Sequence, residues 1–312
     1  MFATITLNPA LDCTWTVEGE LKVGCVHKVV AESIMPGGKG VNVAKAIAGS
    51  GKDVVAGGIL GLGEVKLYTT FLEELNIKYN FMTIHQPTRR NLMLVDNSGN
   101  ELKVNHPGFP DLQYDAQKLA DYCLDLVKPC EVVVLSGSLP IRFPNDTYAH
   151  LIGLFKSEGK KVVLDTSGRA LMTGVVALPD IIKPNRSELK DILGFYPDSK
   201  SCTIMELRNL AQRHKVVIVT EGSVGAWFAS GEDVFFGVAP SVRVVETTGA
   251  GDALLGKFCA EYFGDSDGCL SEELMAMSIA AGSACVEHKG TPALENARIN
   301  ELASAVEIRR EG

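Results

Sequence analysis

An α/β fold is predicted for this chain: a mostly parallel sheet covered by helices on both faces, with a small β-sheet projecting from it. Two observations carry the prediction. After Pro110, short runs that are apolar throughout (Val132 to Leu135, Val162 to Leu164, Val216 to Val219) alternate with amphipathic helical stretches at 115–128, 145–158 and 203–214. Strands with no polar face belong in a sheet buried on both sides. Two other stretches, about 13–35 and 79–106, alternate apolar with polar residues instead, as half-exposed antiparallel strands do.

Taken in order, Phe2 to Leu7 reads as a buried strand closed by Asn8-Pro9, and Gly19 and Gly24 punctuate the first half-exposed stretch. Pro36-Gly37-Gly38-Lys39-Gly40 introduces a helix whose apolar face includes Val41, Ala44, Ile47 and Ala48. A strand from Val54 to Ile59 and a helix from Leu67 to Leu75 follow. Tyr79 to Ile84, Leu92 to Asp96 and Glu101 to Asn105 form the second half-exposed run, and Asn97-Ser98-Gly99-Asn100 has the residues to turn between the last two. Val242 and Val244 against Arg243 and Glu246 predict a strand, followed by a helix carrying Leu254, Leu255, Phe258, Cys259 and Tyr262. Two long helices, 272–288 and 296–310, close the chain. No repeat or linker divides it, so residues 1–312 are read as one domain with the half-exposed segments inserted.

A formal net charge of −8 argues against nucleic acid as a general partner and requires an anionic substrate to be captured by locally placed cations. Eight scattered cysteines without a C-x-x-C pair, and six histidines without a metal-binding spacing, predict reduced thiols and no structural zinc. The start carries no basic-plus-apolar leader and no apolar run approaches bilayer length, so a cytoplasmic protein without a membrane span is expected.

The densest chemistry lies in Thr247-Thr248-Gly249-Ala250-Gly251-Asp252-Ala253. Glycines at the mouth of a helix let free N–H groups converge on a ligand, and the helix start favours an anion. Asp252 then has two readings: it complements the helix dipole, or it takes a proton from an attacking hydroxyl. Two rival phosphate motifs fail. Residues 251–258 approach a Walker A loop, but Phe258 stands where that loop needs a hydroxyl and the segment already has helical periodicity. Gly61-Leu62-Gly63 lacks the third glycine of a dinucleotide fingerprint, with Lys66 in its place. Polar clusters recur at strand ends: Asn8/Asp12, Ser136-Gly137-Ser138, Asp165, Lys183-Pro184-Asn185 and Thr220-Glu221-Gly222, the edge where open parallel sheets bind ligands.

Five blocks then occur in order: Thr-Leu-Asn-Pro-Ala-Leu-Asp (6–12), Gly-Gly-Lys-Gly-Val-Asn-Val-Ala (37–44), Ser-Gly-Ser-Leu-Pro (136–140), Lys-Pro-Asn-Arg-Ser-Glu (183–188) and Thr-Gly-Ala-Gly-Asp (248–252). Together they resemble the PfkB (ribokinase-like) carbohydrate kinases over essentially the whole chain, and most of all the branch containing 1-phosphofructokinase and tagatose-6-phosphate kinase. The resemblance implies a ribokinase-like three-layer α/β/α sandwich whose small β-sheet acts as a lid. It implies ATP and Mg²⁺ as cofactors, with Asp252 as base and the N–H groups of Gly249, Ala250 and Gly251 as anion hole. Asn185 and Glu188 would organise Mg²⁺, largely through water; the ordinary alternative is a capping Asn on a surface helix. Lys183, Asn185, Thr220, Gly222, Gly225, Gly249 and Gly251 would hold the nucleotide, although a tight turn explains the glycines at 222 and 225 equally well.

On the sugar side, Asp12, Gly38, Lys39, Asn42 and Ser138 would contact the substrate, with Lys39 alternatively a solvated loop cation. Thr88-Arg89-Arg90-Asn91 bears on substrate identity, because a guanidinium holds a phosphate bidentately and sugar kinases acting on free sugars generally lack this arginine. Arg89 fits that position, Arg90 adds charge, and Lys103 and Asn105 across the hairpin are weaker candidates for the same pocket. The implied reaction is phosphorylation of fructose 1-phosphate, with tagatose 6-phosphate, an unphosphorylated sugar or nucleoside, and a non-catalytic sugar-phosphate or nucleotide regulator as alternatives. A homodimer through the lid is implied by the resemblance as well. Glu221 to Val224, Thr248, Ala253 and Gly63 to Lys66 depart from the branch's usual residues.

Overall fold

The computed structural model describes residues 1–264, 268–290 and 294–312. In chain order its elements are β1 (Phe2–Thr6), β2 (Ala10–Val17), β3 (Val29–Gly37), α1 (Lys39–Gly49), β4 (Val54–Gly61), α2 (Val65–Glu74), β5 (Lys78–Ile84), β6 (Arg89–Val95) and β7 (Glu101–Asn105). Then come α3 (Ala116–Val127), β8 (Val132–Ser136), α4 (Thr147–Ser157), β9 (Lys161–Asp165), α5 (Gly168–Val176), β10 (Ile181–Ile182), α6 (Arg186–Leu193), α7 (Lys200–Ala211) and β11 (Val216–Thr220). The chain finishes with β12 (Gly225–Ser230), β13 (Asp233–Val238), α8 (Ala250–Tyr262), α9 (Glu272–Cys285), α10 (Asn296–Ala303) and β14 (Glu307–Glu311).

Ten strands form one sheet in the order β14-β13-β12-β11-β10-β9-β8-β1-β4-β5. β5 through β11 run parallel, and β12, β13 and β14 are added antiparallel at one edge. Alternate residues of the central strands feed two cores. Val133 and Leu135 pack with α3 and α4 on one face, while Val132 and Val134 pack with α1 and α8 on the other. That double coverage is why these strands carry no polar face, and each fully buried Val, Ile or Leu contributes about 1.5–3 kcal/mol. The result is the three-layer α/β/α sandwich. From β1 the chain steps outward to β4 and β5, then returns to β8 on β1's other side, so the carboxyl ends of β1 and β8 frame the switch-point crevice.

A second sheet of four strands, β3-β2-β6-β7, stands apart from the first. Its β6–β7 turn is pinned by Asp96, whose carboxylate accepts the N–H groups of Ser98 and Asn100 and also that of Leu21. These bonds hold the Asp96 carboxyl down at about 2.

Three expectations need correction. Tyr79 to Ile84 does not belong to the small sheet: β5 is the edge strand of the large one, parallel to β4. Its alternating exposure reflects that edge position, with the Tyr122 hydroxyl of α3 covering one side by donating to the Asn80 carbonyl. The small-sheet segment therefore begins at Arg89. Residues 242–246 form no strand, because the N–H groups of Val245 and Glu246 donate to the Val286 carbonyl at the end of α9. The final stretch is not one long helix: α10 stops at Ala303, and Glu307–Glu311 turns back as β14, which puts Ile308 against the core and leaves charges outward. Among the described residues no helix is long and apolar enough to cross a membrane.

Candidate active site

α8 begins without a side-chain cap. Gly249 holds the cap position at φ 82°, a left-handed conformation that costs an L-residue with a Cβ about 1–2 kcal/mol. The first-turn N–H groups of α8 have no intrahelical acceptor and face one point. A Cβ on Gly251 would stand 3.2 Å from Lys183 Nζ, so backbone donors and an ammonium group converge there. Asp252, in that first turn, is buried, and its Oδ2 accepts a hydrogen bond from Asn42 Nδ2 (2.9 Å). α1 can deliver Asn42 so close because Gly256 of α8 leaves room for Ala46 and the Val43 carbonyl.

An ion triad lies beside this helix start, with Asp165 and Lys183 buried and Lys39 partly exposed. Asp165, at the end of β9, receives Lys39 Nζ at 3.1 Å and Lys183 Nζ at 3.3 Å on the same Oδ1. Burial works to raise the Asp165 carboxyl, but the Lys183 and Lys39 ammonium groups together hold it below the ordinary range. The same proximity to Asp165 pushes Lys39 upward. Asp252 goes the other way: burial, reinforced by the Asp165 charge, pushes its carboxyl up to about 6 against the pull of Lys39, Asn42 and Lys183. Two carboxyls with opposite shifts in one cleft mark a candidate proton acceptor, Asp252, and a permanently charged anchor, Asp165.

The small sheet supplies the opposite wall. Parallel pairing of β2 with β6 sets Asp12 beside Asn91 and Ala10 beside Arg89, and Asn91 Nδ2 donates to Asp12 Oδ1 (2.9 Å). Arg89 is braced by main-chain carbonyls, donating from Nε to Asn8 (3.2 Å) and Pro9 (3.3 Å) and from Nη1 to His106 (2.9 Å). Such bracing fixes the guanidinium plane before any ligand arrives. Burial raises Asp12 and lowers Arg89. Asn105 sits opposite Asn91 across β6–β7 and shares its face, while Lys103, two residues back, is exposed and paired with Glu101 (3.1 Å). Arg90 is not brought to the site. Strand alternation turns it to the other face, beside Cys13, because consecutive strand residues point in opposite directions. Ser138 Oγ accepts from Asn8 Nδ2 (3.1 Å), and Gly38 caps α1 ahead of Lys39.

On the far side of α8, a cavity of about 550 Å³ is lined by Asn185, Thr220, Gly222, Gly225, Ala250 and Gly251, closed by Ile279 and Gly282 of α9. Asn185, which lines this cavity, forms a complete capping box with Glu188: Glu188 N–H donates to Asn185 Oδ1 (2.9 Å) and Asn185 N–H donates to Glu188 Oε2 (2.8 Å). The capping role is thus real, and it leaves Glu188 Oε1 and the second lone pair of the Asn185 amide oxygen for a hard cation. Among the described residues no group of three His, Cys, Asp or Glu side chains stands together. Residues 251–258 are helical throughout, as the rejection of a Walker loop requires.

The sequence profile of the pfkB family carbohydrate kinases matches residues 9–297. The chain belongs to the pfkB family. The kinase is 31% identical over 98% of its length to 1-phosphofructokinase of Vibrio cholerae (95% of that protein) and 34% identical over 84% to 1-phosphofructokinase of Xanthomonas campestris pv. campestris (84% of that protein). Among solved structures it superposes on phosphofructokinase-2 from Escherichia coli in complex with substrates and products, with TM-score 0.88 and 25% identity, over 97% of this chain and 98% of that one. It shares the fold of a possible 1-phosphofructokinase from Thermotoga maritima at TM-score 0.86, 23% identity and complete coverage of both chains. The expected ribokinase-like sandwich, and a kinase that uses ATP, follow from this membership. Asp165, Asn8 and Asn91 were visible in the sequence only as polar residues at strand ends or beside Arg89. Their pairing with Lys39, Ser138 and Asp12 has no sequence signal.

Proposed function

We propose that the kinase transfers the γ-phosphoryl group of ATP to the free C6 hydroxyl of fructose 1-phosphate, giving fructose 1,6-bisphosphate and ADP. The observation that carries this reading is Asp252: a buried carboxyl, held by Asn42, one turn inside an uncapped helix start that faces Lys183. In this reading the hydroxyl oxygen attacks phosphorus, its proton passes to Asp252, and the N–H groups of Gly249, Ala250 and Gly251 take up charge on the migrating group. Arg89, braced by carbonyls, holds the substrate phosphate with Asn105 on the same sheet, Lys39 offers a second cation from its place on Asp165, and Asp12, Asn42, Gly38 and Ser138 receive the sugar hydroxyls. Lys103 and Arg90 have no part. ATP occupies the cavity lined by Asn185, Thr220, Gly222 and Gly225. Magnesium, when bound with ATP, would be held by Glu188 and Asn185 through water and supplies charge neutralisation at the phosphates.

The small sheet acts as a lid over this cleft. Its outer face carries Leu94, Leu102 and Val104, the last two 52% and 53% exposed, and suits a second copy of the chain; sedimentation of the intact protein reads that state. A cytoplasmic setting, where ATP and phosphorylated sugars meet, accords with this chemistry.

An ADP-release screen over fructose 1-phosphate, tagatose 6-phosphate, fructose 6-phosphate and the free sugars tests the substrate. Fructose 1-phosphate is expected to have the highest kcat/KM, and a free sugar outcompeting every sugar phosphate overturns the reading. Arg89→Leu is expected to raise KM for the sugar phosphate about 10–100-fold with kcat largely kept, since removing a charge-assisted phosphate contact is worth roughly 1.5–3 kcal/mol. Asp252→Asn is expected to lower kcat by about 10²–10⁴ with substrate binding intact.

A further inference from the structure

Behind Asp252, on the side away from the cleft, lies a buried lysine that the phosphoryl-transfer scheme leaves without a task. Lys45 of α1 is 5% exposed. Its Nζ is 3.5 Å from Asn42 Oδ1, and the other end of the same amide donates from Nδ2 to Asp252 Oδ2 at 2.9 Å. The three side chains therefore form a line, ammonium to carboxamide to carboxylate. Phe71 of α2 presents its ring face 5.3 Å from the ammonium. A cavity of about 20 Å³, room for one water, opens beside Lys45 and reaches Gly249 and Cys285.

A lysine is an expensive residue to bury, since its charged form loses its water. Burial lowers Lys45 to about 8, with the carboxylate charges of Asp12 and Asp252 pulling the other way. Among the described residues, the groups around it include Asp12 on β2, Asp252 on α8, Phe71 on α2 and Cys285 on α9, with Glu246 beside Asp12 and Cys285 and Asn296 of α10 on the same cavity. Cys285 is pushed up to about 11 by burial and is a neutral thiol donating to the Thr248 carbonyl (3.6 Å). Lys257, across the cavity, is engaged with Glu261 at 2.8 Å. Lys45 thus lies within electrostatic reach of both Asp12 and Asp252, and it reaches Asp252 through a single amide.

We propose that Lys45 is a positioning residue for phosphoryl transfer, acting through Asn42 to hold the Asp252 carboxylate in one orientation and in its ionised form. An Asn amide alone could rotate and offer its oxygen to Asp252, which would repel it. A cation parked on Oδ1 fixes which end points at the carboxylate. The inference rests on Asp252 being the base, and the test separates the two.

Lys45→Met keeps the length and volume of the side chain and removes the charge; Lys45→Arg keeps the charge. With the sugar phosphate selected by the substrate screen, Lys45→Met is expected to lower kcat about 10–100-fold, the scale of impaired acid–base catalysis, with KM changed less than about threefold. Its acidic limb in the pH–kcat profile is expected to move up by about one unit, because a cation favouring the carboxylate has gone. Lys45→Arg is expected to restore kcat and the acidic limb. It is also expected to keep activity above pH 8, where the wild type declines as Lys45 deprotonates. A Lys45→Met variant with wild-type kcat and limb, or a loss that Lys45→Arg leaves unrepaired with the limb unmoved, overturns the proposal. Should Lys45→Met not fold, the wild-type alkaline decline and its absence in Lys45→Arg carry the test, together with Asn42→Ala, expected to shift the acidic limb in the same direction; absence of both effects overturns it. Asp252→Asn in the same assay reads the underlying assignment: unchanged turnover removes the base itself, whereas collapsed turnover beside unaltered Lys45 variants removes only the role given to Lys45.

Discussion

Two helices start at the same edge of the sheet and on the same cavity, and they start in opposite ways. α6 is closed by its own residues: Asn185 and Glu188 exchange hydrogen bonds with each other's backbone and satisfy the donors there. α8 opens with a left-handed glycine and no side-chain cap, and places a carboxylate of raised affinity for protons in its first turn. A helix start that has satisfied its own N–H groups is a rigid post for other ligands, while one left open is a receptor for an anion. The contrast divides the labour of the cleft. In the proposed reaction the capped helix would hold a carboxylate edge steady for a cation, and the uncapped helix would receive the group in transit.

The comparison breaks first at Gly249. Gly249→Ala is expected to lower kcat about 10²-fold, because a Cβ in a left-handed position twists the donors off target; steady-state kinetics at saturating ATP and sugar phosphate measures it, and a loss below threefold would mean the open start is not the anion site. A second effect concerns proton linkage at Asp252. Its carboxyl in the folded protein is raised to about 6, above the value near 4 of an unfolded chain. Its contribution to stability is therefore fully present below about pH 4 and is lost as pH rises through about 6. Asp252→Asn, neutral at every pH, is accordingly expected to melt higher than wild type at pH 7.5, with the difference shrinking toward pH 4; scanning calorimetry at the two pH values checks the sign. If Asp252 is the base, as proposed, activity runs against stability here, since the ionised form that destabilises the fold is the one that would accept a proton. The smallest effect belongs to the capped helix: Asn185→Ala removes a cap worth about 1 kcal/mol and is expected to lower the melting temperature by roughly 2–4 °C.

Much of this cleft is legible along the chain because its parts are local. A glycine-bounded helix start with an acid in its first turn is a matter of a few consecutive residues, and 247–253 forms the predicted helix mouth. The capping pair at 185 and 188 is an i, i+3 relation within one turn, and its capping reading is realised at the start of α6. Errors arise where one residue of offset or one edge decides. Arg89 and Arg90 are chemically equal neighbours, and only strand pairing determines which faces the cleft. β5 has the pattern of a half-exposed strand because it is the outermost strand of the large sheet, not because it belongs to the small one. Glu307–Glu311 can serve as helix or strand by local preference, and the open edge of β13 selects strand.

By itself the sequence determined the layered α/β architecture, the helix starts and the candidates Asp252, Lys39, Asp12 and Arg89, since periodicity and turn chemistry act over a few residues. Only the tertiary structure decided which charges meet. Asp165 binds Lys39 and Lys183 from positions 126 residues before it and 18 after it in number, and Asn42, with Lys45 on its other end, reaches Asp252 across 210 positions of chain. Carboxyls at 165 and 252 are alike as isolated groups, and what drives one down and the other up is burial combined with the ammonium groups that packing sets beside each.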